Sequence, residues 1–134
     1  MSGQDDALGT PSKATVLLVE DEDPVRAVLF RMLEAEGYRV LLARRPDEAI
    51  ETAKSRAGDI DLLVTDMVLP GMNGRDLVDS IKALRPAIQI LCISGYPGEA
   101  MLIEPLRKQG AAFLHKPFPK KLFLDTIRSL LDAT

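Results

Sequence analysis

Five times along this chain, a short and almost uninterrupted apolar run gives way to a stretch whose apolar residues recur at helical spacing. The runs are Thr15–Val19 (TVLLV), residues 38–43 (YRVLLA), 60–65 (IDLLVT), 88–93 (IQILCI) and Ala112–His115 (AFLH). Runs this short, rich in branched side chains and mostly without polar alternation, suit strands covered on both faces, as in a parallel sheet. Strict alternation of strand and helix with short connections builds such a sheet with helices on either side. The expected fold is α/β, a doubly wound five-stranded parallel sheet of (βα)5 type.

Local signals place the helices. Asp23-Pro24 marks a helix start, with an acid at the N-cap and proline at the first helical position. Val25, Val28, Leu29, Met32 and Leu33 follow on one face, and Gly37 supplies the stop. Residues 46–56 form a second helix with Ala49, Ile50 and Ala53 inward. Asn73 caps a third, whose apolar stripe is Leu77, Val78, Ile81 and Leu84, and Pro86 ends it. Residues 95–109 hold a fourth helix that should be short, kinked or late-starting because Pro105 falls in its interior. Leu102, Ile103 and Leu106 are assigned to core packing. Residues 119–132 close the chain as a helix with Leu122, Ile127, Leu130 and Leu131 inward, and of Phe118 and Phe123 one is expected buried and the other exposed.

Composition bounds the class. The 134 residues suit one domain (14–134) after a polar, aperiodic leader at 1–13 that reads as disordered. A net charge of −3 argues against a strongly basic nucleic-acid binder. The single Cys92, in an apolar strand, reads as inert packing and fits a reducing compartment. No apolar run approaches the ~18 residues of a membrane span. The expectation is a cytoplasmic protein with no membrane or direct nucleic-acid partner. The charge is unevenly spread: acids outnumber bases up to Glu104, and the reverse holds from Pro105 onward.

Parallel sheets carry their sites at the carboxyl ends of the strands. Strand 1 is followed by Glu20, Asp21, Glu22 and Asp23, strand 3 by Asp66, strand 4 by Ser94 and strand 5 by Lys116. Arg44 and Arg45, after strand 2, are given no role. Clustered carboxylates repel unless a cation is present. Oxygen donors suit a hard ion such as Mg²⁺, which takes one or two carboxylates and completes its shell with water and phosphate. A lysine offers positive charge to phosphoryl oxygens, and an aspartate can be the nucleophile that accepts a phosphoryl group. Taken singly, each residue is an ordinary solvated acid, cap or turn. Together, on four strands of one sheet edge, they read as a phosphoryl-accepting site.

From about Ala14 to Asp132 the chain resembles the receiver domain of two-component response regulators, the flavodoxin-like, CheY-like fold. The resemblance rests on Leu17-Leu18-Val19-Glu20-Asp21-Glu22, on Val64-Thr65-Asp66-Met67-Val68-Leu69-Pro70-Gly71-Met72-Asn73-Gly74, on Ile93-Ser94-Gly95-Tyr96 and on His115-Lys116-Pro117-Phe118. It implies that Asp66 accepts phosphoryl from the phosphohistidine of a partner histidine kinase or phosphotransfer protein. It also implies that Asp21, Asp66 and the Met67 carbonyl hold Mg²⁺, with Glu20 acting mainly through a bound water. Ser94 and Lys116 would contact the phosphoryl group, and Ser94 and Phe113 would form the switch. The Lys116–Pro117 bond is expected to be cis. Phe113 stands where the family often has tyrosine, so no output through a phenolic hydroxyl is expected.

Val68 and Tyr96 occupy the two positions that shape water access to the acyl phosphate in this family. An apolar and a bulky residue there imply slow loss of phosphoryl. The Ser94-Gly95-Tyr96 turn and the Leu69–Gly74 loop most resemble receivers of hybrid sensor kinases. With no room for an effector domain in 134 residues, output is expected through a protein contact or onward phosphotransfer. His115 is not expected to be phosphorylated. An aspartate-nucleophile hydrolase is disfavoured because such enzymes place a DxD pair after the first strand, whereas here Asp66 follows the third. A silent receiver-like scaffold would have lost the acceptor or the lysine, and both are present.

Overall fold

The computed structural model describes residues 14–55, 60–95 and 100–132, with the side chains of 100–103 outside that set. The leader at 1–13 and Tyr96 therefore lie outside the described residues, as do the side chains of Leu102 and Ile103. In chain order the elements are β1 (Thr15–Val19), α1 (Asp23–Ala35), β2 (Arg39–Ala43), α2 (Pro46–Ser55), β3 (Leu62–Asp66), α3 (Gly74–Leu84), β4 (Gln89–Ser94), α4 (Ala100–Lys108), β5 (Ala112–His115) and α5 (Lys120–Asp132).

All five strands pair in parallel in the order β2-β1-β3-β4-β5. The chain leaves β1 toward β2 on one side and returns to β3 on the other. Helices therefore cover both faces, and a crevice opens where β1 and β3 end side by side. Side chains alternate between two cores with period two. Leu17, Val19, Leu63, Ile90 and Cys92 pack with Ala49, Ala53, Leu77, Val78, Ile81 and Leu106 from α2, α3 and α4. Val16, Leu18, Leu62, Val64, Leu91 and Ile93 pack with Leu29, Leu33, Phe123, Leu124 and Ile127 from α1 and α5. Cys92 is fully buried, and burial pushes its thiol up to about 12, which fits the inert role expected of it.

The structure moves several expected boundaries and faces. Asp66 and Ser94 are the last residues of their strands rather than the first after them. The N-cap of α1 is Glu22, not Asp23, and its side chain makes no capping hydrogen bond. Val28 is 47% exposed because it lies about 140° round the helix from Leu33, off the Leu29–Leu33 stripe, whereas Phe30, about 60° from Leu33, is half-buried where the spacing did not place it. Leu122 is 46% exposed: it sits about 140° from Ile127, and Phe123 and Leu124 take the inward positions instead. Phe118 is half-buried rather than exposed, its ring stacked on Phe123 with centroids 5.5 Å apart. The edge strand β2 pairs only with β1, which leaves Leu42 exposed.

Other local readings hold. Gly37 at φ 92° ends α1 in a Schellman turn, with Tyr38 N–H donating to the Leu33 carbonyl at 3.2 Å and Gly37 N–H to that of Glu34 at 2.9 Å. Asn73 accepts the Asp76 N–H at 2.9 Å and opens α3. Helix α4 is short, starting at Ala100, and carries Pro105 inside it, with Leu106 fully buried. Leu84 continues the α3 stripe but overhangs the amino end of the sheet, where it is 41% exposed on a cavity of about 410 Å³.

The contrast within α3 is testable. Leu77→Ala should cost about 2–5 kcal/mol, because a fully buried leucine leaves a cavity behind it. Leu84→Ala should cost about 1 kcal/mol or less. Urea denaturation of both variants measures the difference.

Candidate functional site

Register brings the site together. Thr65 lies opposite Val19 on one side and Cys92 on the other, Asp66 opposite Ile93, and Ser94 opposite His115. The ends of β1, β3, β4 and β5 therefore share one edge. The Ser94 carbonyl accepts the Lys116 N–H at 2.8 Å, which ties the lysine to the end of β4. The Lys116–Pro117 peptide is cis, as expected.

Asp66 is 8% exposed, and both carboxylate oxygens are engaged. Oδ1 accepts the Val68 N–H at 3.0 Å, and Oδ2 accepts from the Lys116 Nζ at 2.8 Å. Burial opposes the ammonium charge of Lys116. The hydrogen bond and charge of Asp66, with Glu20 behind it, outweigh that, and the lysine is held above its ordinary range.

Glu20 sits deeper, at 1% exposure. Its Oε2 accepts the Glu22 N–H at 3.1 Å, while Oε1 is buried with no hydrogen-bond partner among the described residues, 3.8 Å from Lys116 Nζ. Burial raises its carboxyl above the ordinary carboxylate range. The charges of Asp66 and Asp21 act in the same direction, against the Glu22 N–H and Lys116.

A cavity of about 320 Å³ is lined by Asp21, Glu22, Asp66, Val68, Gly95 and Lys116. The somewhat larger cavity at the amino edge of the sheet has Asp61 as its one acid among the described residues, and Asp61 accepts the Thr15 N–H at 2.8 Å. Of the four residues expected around a metal, Asp21 and Asp66 line the cavity and Glu20 lies against the Lys116 ammonium. Met67 is fully buried and off the cavity wall, and its carbonyl accepts the Gly74 N–H at 2.8 Å. Among the described residues, no three His, Cys, Asp or Glu side chains are grouped to hold a metal unaided. Three carboxylates on the cavity wall, with the buried Glu20 Oε1 lacking a hydrogen-bond partner among the described residues, fit a hard ion that keeps waters and shares a phosphate.

Ser94 is 4% exposed at the end of β4. Val68 is 50% exposed at the cavity mouth, and His115 is exposed. Phe113 is half-buried against the core beneath α2, α3 and α4.

Three residues with parts in this architecture were not singled out by sequence reasoning. A Cβ on Gly74 would fall 2.7 Å from Met67 Cα and 2.9 Å from the Asp66 carbonyl, so only glycine lets α3 start this close to Asp66. The Arg107 guanidinium lies 5.3 Å from the centroid of the Phe113 ring. Arg26, with its side chain 11% exposed, donates to the Glu20 carbonyl at 2.9 Å and to the Asp23 carboxylate, holding that carboxyl below its usual range. Only the Asp23–Arg26 spacing of three was visible beforehand.

A family model described as "Response regulator receiver domain" matches residues 16–128. The chain is 37% identical over 119 residues to the sensor kinase CckA of Brucella abortus (strain 2308), which covers 89% of this chain but only 13% of that kinase. The crystal structure of the receiver domain from the hybrid histidine kinase CckA is similar at TM-score 0.76 and 36% identity, covering 88% of this chain and 99% of that one. A response regulator receiver domain protein from Clostridium thermocellum superposes at TM-score 0.84 with 25% identity, covering 90% and 96%. No helix among the described residues is long and apolar enough to cross a membrane.

The environment of Glu20 predicts a stability change with a definite sign. A carboxyl raised in the folded state contributes stability below its unfolded value of 4.5 and loses it as pH rises through the folded value. At pH 7 the buried carboxyl is therefore a burden on the metal-free protein. Glu20→Gln should raise the thermal unfolding midpoint in EDTA at pH 7, and the gap should close as pH falls below 4.5. A variant less stable than the parent at pH 7 would contradict this.

Proposed function

The chain belongs to the response regulator receiver family, signalling domains rather than catalytic enzymes, and on that premise we propose that it takes a phosphoryl group onto Asp66 from a histidine kinase or phosphotransfer protein in the cytoplasm. The carrying observation is the pairing of Asp66 with the Lys116 ammonium at 2.8 Å, on the cavity where β1 and β3 end.

In the transfer, an Asp66 carboxylate oxygen attacks phosphorus in line. The new P–O bond forms as the P–N bond to the donor imidazole breaks, and the imidazole leaves with the bonding pair. The Val68 N–H orients the carboxylate, and Lys116 moves its charge from the carboxylate to the phosphoryl oxygens. When bound, Mg²⁺ would supply further positive charge to offset the negative charge of the transferring group. Asp21 and Asp66 would hold it, with Glu20 acting through a bound water. The backbone oxygen expected from Met67 already serves Gly74, so we assign that ligand to the carbonyl of Val68, the next residue and one on the cavity wall.

Ser94 then turns its hydroxyl to the phosphoryl group, and Phe113 follows. This shifts an existing equilibrium at the surface of α4, β5 and α5, where a downstream protein binds. Val68, apolar at the cavity mouth, and Tyr96 give an attacking water little purchase, so the acyl phosphate is long-lived.

Incubation with acetyl phosphate and Mg²⁺ should give a phosphoryl adduct by intact mass, absent in Asp66→Asn and absent in EDTA. A protein that stays unmodified would instead be a receiver-like interaction scaffold. The adduct should survive well beyond seconds; a half-life of seconds, unchanged by substitution of Val68 or Tyr96, would sink the assignment of those two residues.

A further inference from the structure

We propose that Arg26 is a positioning residue for the metal side of the site: by bridging the end of β1 to the first turn of α1, it holds the acidic loop so that Asp21 is presented to a divalent cation. The inference rests on the Mg²⁺ reading above and extends it to a residue that touches neither metal nor phosphoryl group.

The loop has a structural difficulty. Glu20, Asp21, Glu22 and Asp23 are consecutive acids that repel one another, and the N-cap side chain of α1 makes no hydrogen bond to steady the turn. Arg26 meets both problems. Its Nη1 donates to the Glu20 carbonyl at 2.9 Å, and its Nη2 donates to the Asp23 carboxylate. One planar guanidinium thus grips the residues on either side of Asp21 and Glu22.

The backbone completes the clasp. Glu22 N–H donates to Glu20 Oε2 at 3.1 Å, and the Glu22 carbonyl accepts the Arg26 N–H at 2.9 Å. Glu20, Glu22 and Asp23 are all held, while Asp21 stands exposed on the cavity wall. A guanidinium with its side chain 11% exposed, following exposed Asp23 and Pro24 in the first turn of α1, is more confined than a solvated arginine needs to be.

Charge and position predict opposite signs here. Arg26 is a cation beside a cation site, so by Coulomb's law alone its removal strengthens divalent binding. If it positions the loop, its removal weakens binding, on the scale of about tenfold seen when partners that orient metal ligands are lost.

The test is calorimetric titration of the full chain with Mg²⁺ at pH 7, alongside thermal unfolding in EDTA, for the parent, Arg26→Gln and Arg26→Lys. The expected result is about tenfold weaker Mg²⁺ binding in Arg26→Gln. Arg26→Lys, which keeps the charge and one donor, should recover part of the loss while unfolding near the parent midpoint. Equal or tighter Mg²⁺ binding in folded Arg26→Gln, or binding in folded Arg26→Lys no better than in Arg26→Gln, overturns the role of Arg26 and leaves the metal reading standing. A parent protein that takes up no Mg²⁺ overturns the metal reading and this inference with it.

Discussion

Carboxylates gathered at the end of one sheet repel one another, and the ammonium of Lys116 is what makes the burial of Asp66 and Glu20 together tolerable. It sits 2.8 Å from Asp66 and 3.8 Å from Glu20, linking the ends of β1, β3 and β5. Its own position depends on the Ser94 carbonyl, which accepts its backbone N–H, so β4 is drawn in as well. Four strand ends are coupled through one cation. Any event that redirects this lysine, such as the phosphoryl transfer to Asp66 proposed above, would be felt at every strand of the edge except β2.

The same edge shows where stability has been set against use. Glu20 is buried, carries an oxygen with no hydrogen-bond partner among the described residues and is raised by that burial, although a glutamine of the same shape would avoid the charge. A group kept at such a cost suits a site that is completed by something positive. Gly74 reflects the same compromise in backbone form: α3 begins so close to Asp66 that no side chain fits between them. Packing density on both faces of the sheet supports these concessions, because each strand contributes alternate side chains to two separate cores.

Much of this was legible in the residues. The alternation of apolar runs with amphipathic stretches led to the parallel sheet, and the chemistry at the strand ends led to Asp66, Lys116, Glu20 and Asp21. The misplaced faces were those of Val28 and Leu122, where counting apolar residues in a window overrides the angle each one makes round the helix. The boundary shifts at Asp66 and Ser94 arise because ladder hydrogen bonding continues one residue beyond the apolar run. Met67 was expected to offer its carbonyl from its place beside Asp66; that oxygen accepts the Gly74 N–H at the start of α3, and Met67 lies off the cavity wall, neither of which spacing specifies. Arg107 over Phe113 and Arg26 across the acidic loop involve a side chain reaching an element or a backbone group that spacing does not specify.

Sequence by itself determined the fold class and the chemical type of the site, because both follow from local pattern: periodicity sets strand against helix, and residue type sets which strand end carries acid, hydroxyl or amine. Tertiary structure decided how these groups divide their work. Which carboxylate is buried and which faces the cavity, which oxygens are already spoken for, and which arginine braces the loop depend on strand register and helix placement. Those are set by packing across the whole sheet, among residues far apart in the chain, and no local window contains them.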